Sequence, residues 1–181
     1  LAALLDTVQA VSGPAPRVLD LAGGTGSITI RLLDRFPQAT SVILDVDAAL
    51  LEIARATFAD DSRVEIVRAD LGTPGWPASV SAGSFDAVVT ATALHWLADE
   101  RRAELYAEIR EVLRPGGVFV NADHMVDPGL AGLNDSFELL ESARREELLR
   151  TTDVLSWEDW WQAARADEWL APFVAQRDAF Y

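Results

Sequence analysis

Residues 18–29, VLDLAGGTGSIT, decide the fold because an apolar run ends there in an aspartate and a loop with almost no side chains follows. Ligands of open parallel sheets bind outside the carboxyl ends of the strands. A loop of Ala22, Gly23, Gly24 and Gly26 lets a ligand approach the main chain, and the amides of the next helix are available to bind it. The stretch predicts a cradle for a nucleotide-like cofactor; the alternative, a turn that only packs strand against helix, stays open.

Apolar runs and helical patterns alternate on both sides of this loop. Short continuous apolar runs are typical of strands covered on both faces, and the helical spacing between them is typical of crossover helices. The pattern predicts strands over 17–22, 40–46, 63–70, 85–92 and 117–123, with helices over 27–36, 48–58 and 99–113. The fold class is therefore α/β, a Rossmann-like doubly wound, mostly parallel sheet with helices on both faces.

The pattern changes to amphipathic helix after residue 126. We therefore predict a core over residues 1–126 and a C-terminal helical lid or acceptor-binding segment over residues 127–181 of the same domain. Trp157, Trp160 and Trp161 share one helical face, and Trp169 follows them. They either pack this segment, possible homodimer contacts included, or line an acceptor pocket.

Composition limits the classes of partner. The formal net charge of -14, from 29 acidic and 15 basic residues, opposes nucleic acid, since affinity for nucleic acids comes largely from neutralising phosphates. No apolar stretch reaches the roughly 20 residues that span a bilayer, and the first residues lack the basic flank of a secretory signal, so we expect a cytoplasmic protein without membrane contact. Every basic residue is arginine, which favours a bacterial genome rich in GC.

Two phosphate-binding motifs fit the glycine loop poorly. The dinucleotide motif GxGxxG fails because the sequence from Gly24 reads GTGSIT, with Thr29 in place of the third glycine. The Walker motif fails because no GKS or GKT occurs. A nicotinamide-dependent oxidoreductase is also disfavoured because the chain has no lysine for a Ser/Tyr/Lys set.

The pattern Asp20, Ala22, Gly24, Gly26 instead resembles motif I (D/ExGxGxG) of the class I S-adenosylmethionine-dependent methyltransferases, with alanine for the first glycine. Four further segments resemble that family in its order, and together they extend from residue 17 to about residue 123: LDVDAALLEIAR, VRAD, SFDAVVTATALHWL and EIREVLRPGGVFV. The nearest group looks like the small-molecule methyltransferases. The family's antiparallel strand pair after strand five and its N-terminal helical segment are not apparent, so we expect sequence to be missing, chiefly before the final strands.

The resemblance implies that S-adenosylmethionine is the cofactor, S-adenosylhomocysteine the product and a small molecule the acceptor. It implies that Asp45 binds the ribose hydroxyls, with Asp47 as a competing assignment, and that Asp70 and Leu71 contact the adenine. The full predicted cofactor set is Asp20, Ala22, Gly23, Gly24, Thr25, Gly26, Asp45, Val46, Asp70, Leu71 and Thr90. A protein that binds the cofactor or a nucleotide without turnover, as a sensor or assembly subunit, remains the alternative function.

Methyl transfer is an in-line displacement that depends mainly on positioning and on exclusion of water, although some acceptors need a base. Both histidines, His95 and His124, follow predicted strand ends, and we select His95 as the candidate catalytic base, while a purely structural role of either histidine stays open. Asp123, His124 and Asp127 would suit a metal poorly, because magnesium prefers an all-oxygen set. We predict no metal site.

Overall fold

A computed structural model of the chain describes residues 1–81, 84–123 and 128–181. The five strands among these residues are β1 (Arg17–Leu21), β2 (Thr40–Asp45), β3 (Val64–Arg68), β4 (Phe85–Ala91) and β5 (Leu113–Ala122). They form one parallel sheet in the order β3-β2-β1-β4-β5. The chain runs outward from β1 to β3 and then crosses to β4, so the strand order reverses between β1 and β4. The Rossmann-like prediction is confirmed.

Helices cover both faces of this sheet. The helices of the first 123 residues are α1 (Ala2–Val11), α2 (Ser27–Arg35), α3 (Ala48–Thr57) and α4 (Asp99–Val112). Alternation along β1 separates the two faces: Leu19 and Leu21 pack with α4, whereas Val18 packs with α1 and α2. Ile43 of β2 packs with Leu51 and Ala54 of α3. The apolar residues are thus buried in two layers, one on each side of the sheet.

Helix α1 precedes β1 and was not among the helices predicted from the sequence. Its buried side chains are Leu4, Leu5 and Val8, spaced three and four residues apart, and they belong to the core layer of α2. The helix is short and lacks a side-chain cap, so little besides this spacing marks it in the sequence. It contacts β4 and β5.

The predicted boundary between α4 and β5 was also wrong. Leu113 already pairs with Phe85 of β4, and the ladder resumes where Ala87 pairs with Val118. The RPGG segment between them bulges out of the strand instead of preceding it. The side chain of Arg114 donates from Nε to Asp86 Oδ1 (2.5 Å), which fixes the bulge to the neighbouring strand.

Contacts divide the chain into two compact units, Leu1–Asp123 and His124–Tyr181. The described part of the second unit contains α5 (Ala131–Thr151), α6 (Trp157–Ala166) and α7 (Ala171–Asp178), and no strand. Helix α5 buries none of its residues, while Trp161 and Ala164 of α6 and Val174 of α7 are buried. The division into core and lid stays a prediction. Within the described ranges no helix is both long and apolar enough to cross a bilayer.

Candidate functional site

The candidate site lies at the carboxyl ends of β1 and β4, on either side of the point where the strand order reverses. Each of these two strands is followed by a residue with a left-handed backbone that is not glycine: Ala22 has φ 54° and Thr92 has φ 52°. Such conformations are costly for residues with a Cβ, above all for a β-branched threonine, and they cluster at functional sites. Both strand ends therefore carry backbone strain at the place where an open α/β sheet binds its ligand.

Main-chain hydrogen bonds hold the glycine loop against β2. Gly23 donates to the carbonyl of Leu44 (3.2 Å), and Gly26 donates to the carbonyl of Gly23 (2.8 Å). Only glycine fits the last position, because its φ is +84° and a Cβ would lie 2.6 Å from Phe58 Cε2 and 2.8 Å from Ile43 Cδ1. A side chain at Gly23 would lie 2.8 Å from Cγ of Asp20. At Gly23 and Gly26 the loop is bare because its surroundings leave no room for a side chain.

Asp20 lies beneath this loop as a buried carboxyl group in the centre of the sheet. Its Oδ2 accepts bonds from the amide (3.1 Å) and the hydroxyl (2.8 Å) of Thr29, and that hydroxyl also pairs with Ser41. Its Oδ1 is buried and has no protein partner. Burial raises the pKa of Asp20 to about 7, although the hydrogen bonds from Thr29 oppose that shift. Thr29, which seemed a missing glycine, is the residue that orients this carboxyl group.

Asp45 connects the end of β2 to the glycine loop. Its Oδ2 accepts the Gly24 amide (2.8 Å) and its Oδ1 accepts the Asp47 amide (2.9 Å), so each oxygen keeps a further lone pair. Burial raises the pKa of Asp45, and the two amide donors oppose the rise. Asp47 instead caps α3, accepting the amides of Ala49 and Leu50. This geometry favours Asp45 over Asp47 as the ribose acceptor.

The loop after β3 is held by an arginine from α4. Arg101 donates to the carbonyls of Leu71 (2.8 Å) and Thr73 (3.2 Å), and it pairs with Glu108 at 2.5 Å. Glu108 also accepts the indole N–H of Trp76 (2.7 Å), while Asp70 Oδ1 accepts the Gly72 amide (2.7 Å). Arg101 therefore fixes the loop that carries the predicted adenine contacts. Nothing in the sequence pattern indicated this role for Arg101.

His95 lies in a short 3-10 turn, Leu94–Trp96, after β4 and is bound twice by Asp123 at the end of β5. The main-chain amide of His95 donates to Asp123 Oδ2 (3.0 Å), and its ring Nδ1 lies 2.7 Å from Asp123 Oδ1. The imidazole is 35% exposed, whereas the Asp123 side chain has no exposed surface. The structure thus brings together two residues that the sequence interpretation considered separately.

The other predicted residues lie in three settings. Ala22, Thr25 and Val46 are half-buried at the loop and the β2 end, and Leu71 packs largely into the core. Thr90 is fully buried in β4, with a hydroxyl that has no protein partner. His124 and Asp127 lie outside the described residues, and no group of three metal-binding side chains occurs in the ranges that are described.

Three of the four tryptophans of the second unit form one cluster, as their spacing predicted. The rings of Trp157, Trp160 and Trp161 contact one another with centroids 4.7–6.3 Å apart. The guanidinium of Arg177 on α7 lies 3.9 Å from the centre of the Trp161 ring, so this tryptophan packs α6 against α7. Trp157 is 68% exposed. Dimerisation through these helices stays a prediction.

The residues at the β1 and β2 ends fit a nucleoside-containing cofactor with a cationic amino-acid moiety. The close contacts at Gly23 and Gly26 keep side chains out of the loop, so a ligand can reach the main chain. Asp45 offers carboxylate oxygens, which accept hydrogen bonds from a diol without donating any. The buried, unpartnered Oδ1 of Asp20 adds a negative potential once that group ionises.

Comparison with protein families gives a match to a methyltransferase domain model over residues 18–117, the strands and loops described above. A trans-aconitate 2-methyltransferase of Deinococcus radiodurans is 38% identical over 130 residues, covering 69% of this chain and 46% of the relative. A malonyl-[acyl-carrier protein] O-methyltransferase of Halalkalibacterium halodurans is 29% identical over 164 residues, covering 88% of this chain and 58% of the relative.

Solved structures agree with this result. An S-adenosylmethionine-bound amino pentose methyltransferase from Micromonospora echinaspora superposes with a TM-score of 0.58 at 28% identity, covering 71% of this chain and 50% of that one. The chain spans about half the length of the curated relatives that it matches, 46% and 58% of the two described.

Proposed function

Because this chain belongs to the methyltransferase domain family, in the class I S-adenosylmethionine-dependent branch that acts on small molecules, we propose that it transfers a methyl group from S-adenosylmethionine to a small-molecule acceptor. The observation that supports the proposal is the Asp45 carboxylate, which accepts the Gly24 amide and so joins the proposed ribose-binding position to the glycine loop. A ligand that contacts both would bind two elements that the fold has already connected.

Each part of the cofactor has residues of matching chemistry. The loop from Ala22 to Gly26 would hold the methionine moiety against the main chain, Asp45 would accept the ribose hydroxyls, and the Asp70–Leu71 segment would border the adenine. When bound, S-adenosylmethionine supplies an electrophilic methyl group on a sulfonium. The chain's own contribution is to orient the acceptor and to exclude water, because such a displacement needs placement more than acid–base chemistry.

His95 is the residue we propose for proton removal where the acceptor requires it. It follows β4 at the same edge of the sheet as the glycine loop, and its ring is partly exposed while its Nδ1 is engaged by Asp123. A base must reach the proton it takes, and an exposed imidazole at a strand end can meet a bound small molecule.

The test is calorimetric titration of the wild-type protein and Asp45→Ala with S-adenosylmethionine, S-adenosylhomocysteine and NADH. We expect saturable binding of the two sulfur compounds, none of NADH, and affinity at least about tenfold lower in the variant, equivalent to about 1.4 kcal/mol. Asp47→Ala is the matched control, since it removes a helix cap at the same strand end and should reduce stability without a comparable loss of affinity.

Two outcomes would contradict the proposal. Absence of binding of both sulfur compounds to the folded protein would exclude the cofactor. Equal loss of affinity in Asp45→Ala and Asp47→Ala would mean that the strand end matters only through its folding.

A further inference from the structure

The pairing of His95 with Asp123 fixes the position of the ring. The backbone amide and ring Nδ1 of His95 are bound by the two oxygens of a single carboxyl group, at 3.0 Å and 2.7 Å. The amide bond positions the turn that carries His95, and the ring bond restricts rotation of the imidazole. Because the Asp123 side chain has no exposed surface, water does not compete for these two bonds.

The same pairing selects a tautomer. A carboxylate only accepts hydrogen bonds, so Nδ1 of a neutral imidazole must donate to Asp123 Oδ1. The proton of the neutral ring is then on Nδ1, and the lone pair is on Nε2. Asp123 thereby keeps the outer nitrogen of a partly exposed histidine in the form that takes up protons.

We propose that Asp123 is a positioning residue that holds His95 as a general base, and that the acceptor is consequently a hydroxyl compound rather than a carboxylic acid. This inference rests on the proposed function. A carboxyl group is already ionised at neutral pH and attacks without help, whereas an alcohol or phenol keeps its proton and gains from a base. A residue that orients a base is useful for an acceptor that must lose a proton, as an alcohol or phenol must, and is of no use for a carboxylate.

The step balances without further reactants. The acceptor O–H proton passes to Nε2 of His95, the acceptor oxygen forms a bond to the sulfonium methyl carbon, and the carbon–sulfur bond breaks with its electron pair remaining on sulfur. The products are a methyl ether, the neutral thioether S-adenosylhomocysteine and a protonated imidazole paired with the Asp123 carboxylate. The imidazolium then loses its proton to solvent.

The immediate surroundings of His95 agree with a ring-bearing hydroxyl compound. The Trp96 indole lies 4.9 Å from the imidazole, centroid to centroid, and is 82% exposed, which offers a flat apolar surface beside the base. Arg102, which contacts the turn that carries His95, is engaged by the carbonyls of Leu94 and Leu97 and by Asp99. That guanidinium is already occupied, so it is poorly placed to pair with an acceptor carboxylate.

The first test reads the tautomer by nitrogen-15 NMR of the two histidines, with His124→Gln providing the assignment. We expect the wild type above pH 8 to have a protonated Nδ1 and a bare Nε2 at His95. Asp123→Asn should shift the proton toward Nε2, because the amide can donate to Nδ1, while its oxygen can still accept the His95 main-chain amide. Glu100→Gln, which alters an exposed carboxyl group in the first turn of α4, should leave the signals unchanged.

The second test uses a panel of aromatic and alicyclic hydroxy acids, such as 4-hydroxybenzoate, with methyl-labelled S-adenosylmethionine. Each probe carries both a hydroxyl and a carboxyl group, so the product identifies the atom that is methylated. We expect methyl ethers. Asp123→Asn should lower kcat by about 100-fold or more with KM for the probe nearly unchanged, as for the orienting aspartate of a serine protease. Glu100→Gln should remain close to wild type.

Three results would overturn this inference. A His95 tautomer that is mixed in the wild type, or that does not respond to Asp123→Asn, would remove the positioning role. Methyl esters, or no methyl ether from any probe, would exclude the acceptor class. Loss of turnover accompanied by loss of calorimetric S-adenosylmethionine binding in Asp123→Asn would indicate a structural role instead. Failure of the wild type to bind S-adenosylmethionine would refute the proposed function, whereas the tautomer result would still decide the role of Asp123.

Discussion

The two halves of the candidate site are built in different ways. At the ends of β1 and β2, buried carboxyl groups receive main-chain amides: Asp45 accepts those of Gly24 and Asp47, and Asp20 accepts that of Thr29. At the ends of β4 and β5, a buried carboxyl group binds a partly exposed side chain, His95. The first half presents backbone and the second half presents a functional group. This difference matches a division between holding one ligand and reacting with another.

The largest expected effect, in the half of the site at β1 and β2, is the change in folding stability with pH that Asp20 causes. Its carboxyl group has an ordinary pKa of 3.8 and a folded-state pKa of about 7, so the folded protein retains the proton to higher pH than the unfolded chain does. Stability from Asp20 is thus fully present below pH 4 and is lost as the pH rises to about 7, by about 4 kcal/mol. The free energy of unfolding of the wild type minus that of Asp20→Asn, measured with urea, should fall in the same way between pH 4 and pH 7.

Asp61→Asn is the matched control for that measurement. Hydrogen bonds from Arg63 lower the pKa of the partly exposed Asp61 to about 2, so the stability that this pair contributes is lost only as the pH falls below about 4. The difference in the free energy of unfolding between the wild type and Asp61→Asn should therefore be constant from pH 5 to 8. A flat difference for Asp20→Asn as well would contradict a buried, proton-retaining carboxyl group beneath the glycine loop.

A smaller effect is expected where the cofactor half has no room for a side chain. Gly26→Ala would place a Cβ within 2.8 Å of both Phe58 and Ile43 at a φ of +84°. We expect a loss of about 3 kcal/mol in the free energy of unfolding, from backbone strain and overpacking together. Gly75→Ala separates the two causes, because its φ is +102° but nothing lies within 4 Å of the new Cβ. For Gly75→Ala, urea unfolding should give a loss of about 1 kcal/mol in the free energy of unfolding. Equal losses in the two variants would mean that crowding at Gly26 is unimportant.

The smallest effect compares two neighbouring arginines of α4. Arg101 holds the Leu71–Thr73 loop on the proposed cofactor side, and Arg102 holds the Leu94–Leu97 turn on the proposed acceptor side. Lysine keeps the charge but cannot reproduce the fork of donors. Calorimetry should show S-adenosylmethionine affinity about fivefold lower in Arg101→Lys, about 1 kcal/mol, and nearly unchanged in Arg102→Lys. A larger loss of affinity in Arg102→Lys than in Arg101→Lys would mean that the two arginines do not act on separate halves of the site.

The sheet could be predicted because its signals are local. Apolar runs such as VILD and AVVT, separated by helical spacing and glycine-containing turns, define the alternation of strand and helix, and the parallel order follows from it. Helix α1 was missed because only three buried side chains mark it. The RPGG bulge was missed because its shape depends on Asp86, a residue of another strand.

The candidate site residues also divide into those marked by a local motif and those whose role depends on a partner elsewhere in the chain. The glycine loop and Asp45 belong to contiguous motifs, so their positions could be read directly from the sequence. Thr29 and Asp123 gain their roles from partners 9 and 28 residues away. The second pairing could have been found, since β4 and β5 are adjacent and their carboxyl ends meet at one edge. Arg101 could not, because helical spacing alone does not indicate which loop its guanidinium reaches.

The bond between the Gly24 amide and Asp45 also affects how binding proceeds in time. A loop fixed to a neighbouring strand has already lost its conformational entropy during folding, so a ligand need not order it. Association is then free of a slow closing step at this loop. The Gly24 amide should exchange its hydrogen slowly even without ligand, and its protection factor would report how firmly the site is preformed.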